Sequence, residues 1–178
     1  MNNDVEERLN RFKEDLNNLP SLQIVRKHII FGECCILSQE VYFDLRSDVA
    51  DHFGLHPNEV LVVGSAKLGF SVSPKKRYFP FGDKSDIDVA LVSTVLFDKI
   101  WEDVFHYRYE GPYWPEYKVF VKYLFRGWIR PEMLPKSSNF PFRKKWQDFF
   151  RSITRSGRYG DYHIKGGLYQ YLRQLSWV

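Results

Sequence analysis

The sequence predicts an α+β fold (α/β-like), a small mixed β-sheet flanked by helices, on three observations. Short apolar runs bounded by turn residues, "EVLVVG", "IDVALVS" and "YHIKGGLY", read as strands. Longer stretches with apolar residues three and four apart read as amphipathic helices around them. No repeat or low-complexity tract divides the 178 residues, so a single domain spans 1–178, with N-terminal helices (1–55) packed on its core.

In chain order, "DVEERLNRFKEDLNNL" places Val5, Leu9, Phe12 and Leu16 on one helical stripe and stops before Pro20. "LQIVRKHII" fits a second, short helix. "SQEVYFDLRSDVADHFG" reads as a helix capped by Ser38 and stopped at Gly54. "HPNEV" is a turn, "EVLVVG" a buried strand, and "SAKLGF" a short helix or a single turn. "SVSPKKRYFPFGDK", with two prolines and a glycine, is a loop leading into the strand "IDVALVS". "TVLFDKIWEDVFHY" is helical and "EGPYWPEY" is a linker, while "YKVFVKYLFRGWI" fits helix and strand patterns alike. After the loop "RPEMLPKSSNFP" come a basic amphipathic helix, "FRKKWQDFFRSITRSG", the strand "YHIKGGLY" and a closing helix, "LYQYLRQLSW".

Hydrophobic residues at 44% and charged residues at 27% are globular values that exclude a disordered chain. No run of eighteen apolar residues is present to span a membrane, and the acidic, amphipathic start does not suit a secretion signal. Cys34 and Cys35 are adjacent, a pair that neither bridges readily nor makes a zinc site alone. A cytoplasmic, disulfide-free protein is the expectation. The charge is uneven: fourteen Lys/Arg stand against five Asp/Glu from Arg108 onward, but twelve against seventeen before it. Basic clusters with Trp and Tyr between them suit phosphate backbones and stacked bases, and equally a solvated helix face. Trp101, Trp114 and Trp128 read as core residues before stacking platforms.

The chemistry concentrates in "GSAKLGFSVSPKKRYFPFGDKSDIDVALVS", Gly64 to Ser93. Side chains alternate along a strand, so Asp86 and Asp88 share a face. Two carboxylates so placed repel each other and resist joint ionisation unless a cation lies between them. Oxygen-only ligands favour Mg²⁺ (or Mn²⁺), held by one or two carboxylates plus substrate phosphates. Gly64 lets the backbone come close, and N–H groups at a helix start can hold phosphate oxygens beside Ser65. The stretch is not a Walker A loop, because the closing G-K-[ST] is missing. The competing readings are strand-end caps or salt-bridge partners for the aspartates, and an ordinary strand-to-helix turn for "GSAKLGF".

Gly-Ser after a buried strand, then D-x-D on the next, resembles the signature of small stand-alone bacterial nucleotidyltransferases of the DNA polymerase beta-like superfamily. "VVGSAKLGFS" and "SDIDVALVS" carry the likeness over Val60–Ser93, about a fifth of the chain. More loosely, "RGWIRPEMLP" and "GGLYQYLRQL" are similar to the tails of such members, some of which belong to phage-defence or toxin–antitoxin modules. The resemblance implies a nucleotidyltransferase fold and metal-dependent transfer of a nucleoside monophosphate from an NTP to an acceptor hydroxyl, with release of pyrophosphate. The acceptor would be an RNA 3′ end, a nucleotide or a protein side chain.

By the same resemblance Asp86 and Asp88 hold the metals and are catalytic, and Gly64 and Ser65 bind the nucleotide. Lys67 fits either a phosphate contact or a solvent-facing position. The family also carries a third carboxylate on a later strand, as base or metal ligand. Asp161, before "YHIKGGLY", is the best candidate, ahead of Glu116. Without a third acid the expectation shifts to a catalytically inactive nucleotide- or RNA-binding module that signals to a partner protein. Twenty residues separate Ser65 from Asp86, lengthened by the loop with Lys75, Lys76 and Arg77. That loop fits a cover for the triphosphate, a grip on an acceptor, or a plain surface insertion. Arg158 and His163 have the R-x4-H spacing of certain helical ribonucleases, but Gly157 and Gly160 argue against a helix there.

Overall fold

The computed structural model describes residues 3–111 and 113–177. Helix α1 (Asn3–Asn18) turns Leu9 and Phe12 inward, onto a small cluster with Ile24, Leu68 and Phe70. Helix α2 (Ser21–Ile24) runs straight into a π-helical segment, Val25–Ile30. Helix α3 (Gln39–Phe53) begins and ends where its sequence says it should. Ser38 Oγ accepts the Val41 N–H at 3.3 Å, and Gly54 closes the helix in the left-handed region at φ 66°.

Strand β1 (Val60–Val63) passes without a break into helix α4 (Gly64–Leu68). Strand β2 (Ile87–Val92) is followed by helix α5 (Thr94–Glu110), capped by Ser93. The stretch that fits both patterns proves to hold both: helix α6 (Tyr117–Leu124), a turn at Gly127, then strand β3 (Trp128–Ile129). Helix α7 (Phe142–Arg155) and strand β4 (Ile164–Tyr169) fall where expected. The closing helix is shorter than its sequence pattern and of a tighter kind. Residues Leu172–Trp177 form a 3₁₀-helix. Strand β4 takes Leu168 and Tyr169 into the sheet, and the Gln170 N–H is bonded to the Gly127 carbonyl, so helical structure begins only at Leu172.

The architecture is α+β, with one four-stranded mixed sheet in the order β1-β2-β4-β3. Strand β2 is antiparallel to β1 and parallel to β4, and β3 is antiparallel to β4. One sheet face carries Val60, Val62, Ile87, Val89, Leu91, Ile164 and Leu168 into the main core. Leu45 and Val49 of α3, Ile100 of α5, Phe120 of α6 and Phe150 of α7 belong to the same core. The opposite face buries Leu61, Ala90 and Tyr169 against Val25 and Leu175. Trp114 and Trp146 are core residues, but Trp101 stacks on Phe105 on the exposed side of α5. Among the described residues no helix is long and apolar enough to cross a membrane, and Cys34 and Cys35 are both free.

Candidate functional site

Strand β1 ends where Val63 pairs with Asp88, and the chain turns at Gly64, φ 64°, directly into α4. A Cβ at position 64 would stand 3.3 Å from Asp88 Oδ2. Glycine is therefore needed twice, for the left-handed backbone and for the approach to the carboxylate. No side chain caps α4, so its first-turn N–H groups lack the usual capping acceptor. Ser65 is half-buried in that turn.

Asp86 and Asp88 flank Ile87, whose side chain goes to the core, so both acids stand on the other face. Solvent reaches the Asp88 carboxylate, yet protein crowds it from several sides. Desolvation first, and the charge of Asp86 second, push its pKa up to about 6, while Lys165 pulls it the other way. The environment thus opposes full ionisation of the pair unless a cation joins it.

A cation is already there. The β2–β4 register sets Asp88 beside Lys165, and Lys165 Nζ donates to Asp86 Oδ2 at 2.5 Å. His163 Nδ1 lies 3.8 Å from Asp86 Oδ1, and its carbonyl accepts the Ile87 N–H. Two residues beyond Lys165 on the same face, a Cβ at Gly167 would stand 2.8 Å from Trp128 Nε1. That indole N–H is buried without an acceptor. Lys165 was not singled out from the sequence, and His163 was named there only for its spacing from Arg158. Their signal was the polar–Ile–polar triplet "HIK", which repeats the form of "DID" but shows its register only in the folded sheet.

Gly64, Asp86 and Asp88 are thus brought together, with Ser65 on the adjoining turn. Lys67 is not part of this group. It is 1% exposed, donates to the Gly32 carbonyl and lies 5.0 Å from the Tyr42 ring centre. Burial pushes its pKa below the usual lysine range. It borders a separate cavity of about 380 Å³, lined also by Asp4, Glu7, Arg8, Arg11 and Glu33 but by neither Asp86 nor Asp88. Asp161 is exposed, in a bend four residues ahead of Lys165 and outside the strand. It makes no hydrogen bond or ion pair among the described residues. Glu116 sits at the start of α6, off any strand.

Among the described residues, no group of three or more His, Cys, Asp or Glu is placed to hold a metal ion. Asp86 and Asp88 fit a divalent cation only if a ligand supplies the remaining oxygens, as a nucleotide's phosphates do. The chain matches no known family model, no curated protein and no solved structure, and the chemistry of this site is read from its own residues.

Proposed function

We propose that the surface where α4 meets β2 and β4 binds the triphosphate of a nucleotide with one divalent cation, Mg²⁺ or Mn²⁺. We further propose that the chain is a binding module that reports the bound nucleotide to a partner protein, and does not turn it over. Contiguity supports the nucleotidyltransferase-like reading of the fold. The Gly64–Ser65 turn follows β1 directly, Asp86 and Asp88 open the neighbouring strand, and Gly64 backs onto Asp88.

The observation that carries the binding reading is Lys165. It stands beside Asp88 on a later strand, where the resemblance implies a third carboxylate, and it holds Asp86 at 2.5 Å. An ammonium there offsets one of the two negative charges and lowers the pull on a second metal ion. It also adds a donor suited to a phosphate oxygen. Asp161, the candidate base, stays outside this group.

The test is calorimetric titration with each of the four NTPs, with and without Mg²⁺ or Mn²⁺, beside a pyrophosphate-release assay offering RNA and lysate as acceptors. Binding that needs the cation, weakens at least tenfold in Asp86→Asn/Asp88→Asn and releases no pyrophosphate is the expected result. Pyrophosphate release that vanishes in that variant would instead establish nucleotidyl transfer. Absence of NTP binding under every metal would remove both readings.

A further inference from the structure

We infer that the hairpin Ser71–Phe79, between α4 and β2, is a binding surface for single-stranded nucleic acid. The segment is built, not a loose insertion. The Ser71 N–H donates to the Phe79 carbonyl at 2.8 Å, the Tyr78 N–H to the Ser71 carbonyl at 2.7 Å, and the Phe81 N–H to the Gly69 carbonyl at 2.8 Å. Phe70 and Pro80 pair as an isolated bridge below these bonds, and Pro74–Lys76 form a 3₁₀ turn at the tip.

Tyr78 is the one non-glycine residue with positive φ, 67°, among the described residues. That conformation is unfavourable for a side-chain-bearing residue and persists only where its surroundings impose it. Here its ring packs edge-on against Phe70, which in turn meets Phe12 of α1. Tyr78 is thereby pulled inward, and Phe79 is left 65% exposed beside the tip.

The charge of the hairpin is of one sign. Lys75, Lys76 and Arg77 are exposed, and none takes part in a salt bridge among the described residues. Lys13 of α1 joins them, 4.9 Å from the Tyr78 ring centre. From Gly64 through Gly82 the chain holds no acid, and Asp83 is the first beyond it. These cations, of which Arg77 lies 5.0 Å from the Tyr78 ring centre, stand beside the exposed Phe79 ring and match a strand that offers phosphates to the cations and a base to the ring.

The hairpin also continues into the nucleotide site. Phe81 packs on Tyr162, 5.0 Å between ring centres, and Tyr162 precedes His163, which faces Asp86. Anionic lipid offers the same negative charge, but a single ring with Val72 makes a small apolar insert for a membrane surface. The choice of nucleic acid over lipid rests on the nucleotide reading of Asp86 and Asp88; the cationic hairpin itself does not.

Fluorescence anisotropy with a labelled twelve-nucleotide oligouridylate, across a range of salt, tests the inference. The triple variant Lys75→Gln/Lys76→Gln/Arg77→Gln is expected to bind at least tenfold more weakly, with a log–log salt slope shallower by about 2. Phe79→Ala is expected to lose about tenfold with its salt slope unchanged, the mark of a stacking contact. Far-UV circular dichroism confirms that these surface variants fold, and NTP titration of the triple variant should match the wild type. Oligonucleotide binding that ignores the triple substitution, or is absent altogether, would overturn the inference. So would binding to vesicles of phosphatidylcholine and phosphatidylserine that exceeds binding to the oligonucleotide. Loss of NTP binding in Asp86→Asn/Asp88→Asn with oligonucleotide binding intact would separate the two sites.

Discussion

The two faces of the sheet are made by the same strands and solve opposite problems. On the core face Ile87 sits beside Ile164 and Leu91 beside Leu168, all four essentially without exposure. On the other face Asp88 sits beside Lys165, one residue along from each isoleucine. Apolar neighbours are interchangeable within limits of volume, because burial is non-directional. Charged neighbours are not, since the sign of each decides what the other can hold. The sheet thus has a face that sets stability and an end of the opposite face that sets chemistry, and single substitutions on one strand should separate them.

The largest expected effect is on the core face. Leu168 is 0% exposed, and Leu168→Ala should cost about 2–5 kcal/mol, the transfer of a buried side chain plus the cavity it leaves. Lys165→Ala, three residues earlier on β4, removes an exposed side chain and should change stability by no more than about 0.5 kcal/mol. Urea unfolding of both variants at neutral pH checks the pair. A destabilisation by Lys165→Ala comparable to that by Leu168→Ala would mean that the ion pair to Asp86 is structural.

The same contrast explains what could be read from residues alone. Helix α3 was legible because Ser38 and Gly54 act within one turn of the backbone they cap, and β1, α4 and β2 because their patterns are local. The shared face of Asp86 and Asp88 follows from the two-residue repeat of a strand. Lys165 was not legible, because its place depends on a parallel pairing between segments 77 residues apart. "His-Ile-Lys" reads as strand in either register, and a slip of one residue would have sent Lys165 to the core. The burial of Lys67 was not legible for a related reason. Helical position alone gives no sign that the Gly32 carbonyl and Tyr42 ring wait for its ammonium. Asp161 lies in a bend ahead of β4, and its distance from the other two acids likewise depends on a pairing that its own neighbours do not reveal.

Changing the sign of one charge should move the chemistry without moving the core. Lys165→Asp would set a third carboxylate beside Asp88 and release Asp86 from its partner. Mg²⁺ affinity measured by calorimetry should rise at least tenfold, about 1.4 kcal/mol, and the thermal midpoint without metal should fall, since three acids then repel. Pyrophosphate release from an NTP in this variant alone would identify Lys165 as the residue that keeps the site from turnover. Unchanged Mg²⁺ affinity would remove the metal from the proposed site.

The smallest effect is a pH dependence. Asp88 is pushed up to about 6 in the folded chain from an ordinary value of 3.8, so between those values the folded state binds more protons than the unfolded one. Stability must then fall as pH rises from about 4 to 6, and level off above. The carboxylate is open to solvent, so screening holds the change to about 1 kcal/mol. Asp88→Asn lacks the titrating group, and its urea midpoint should coincide with the wild type near pH 4 and exceed it near pH 7. Saturating Mg²⁺ should close that gap, because a bound cation favours the ionised carboxylate that the folded protein alone resists. A gap that is constant with pH would show that Asp88 ionises freely, and that Lys165 already supplies all the positive charge the aspartates require.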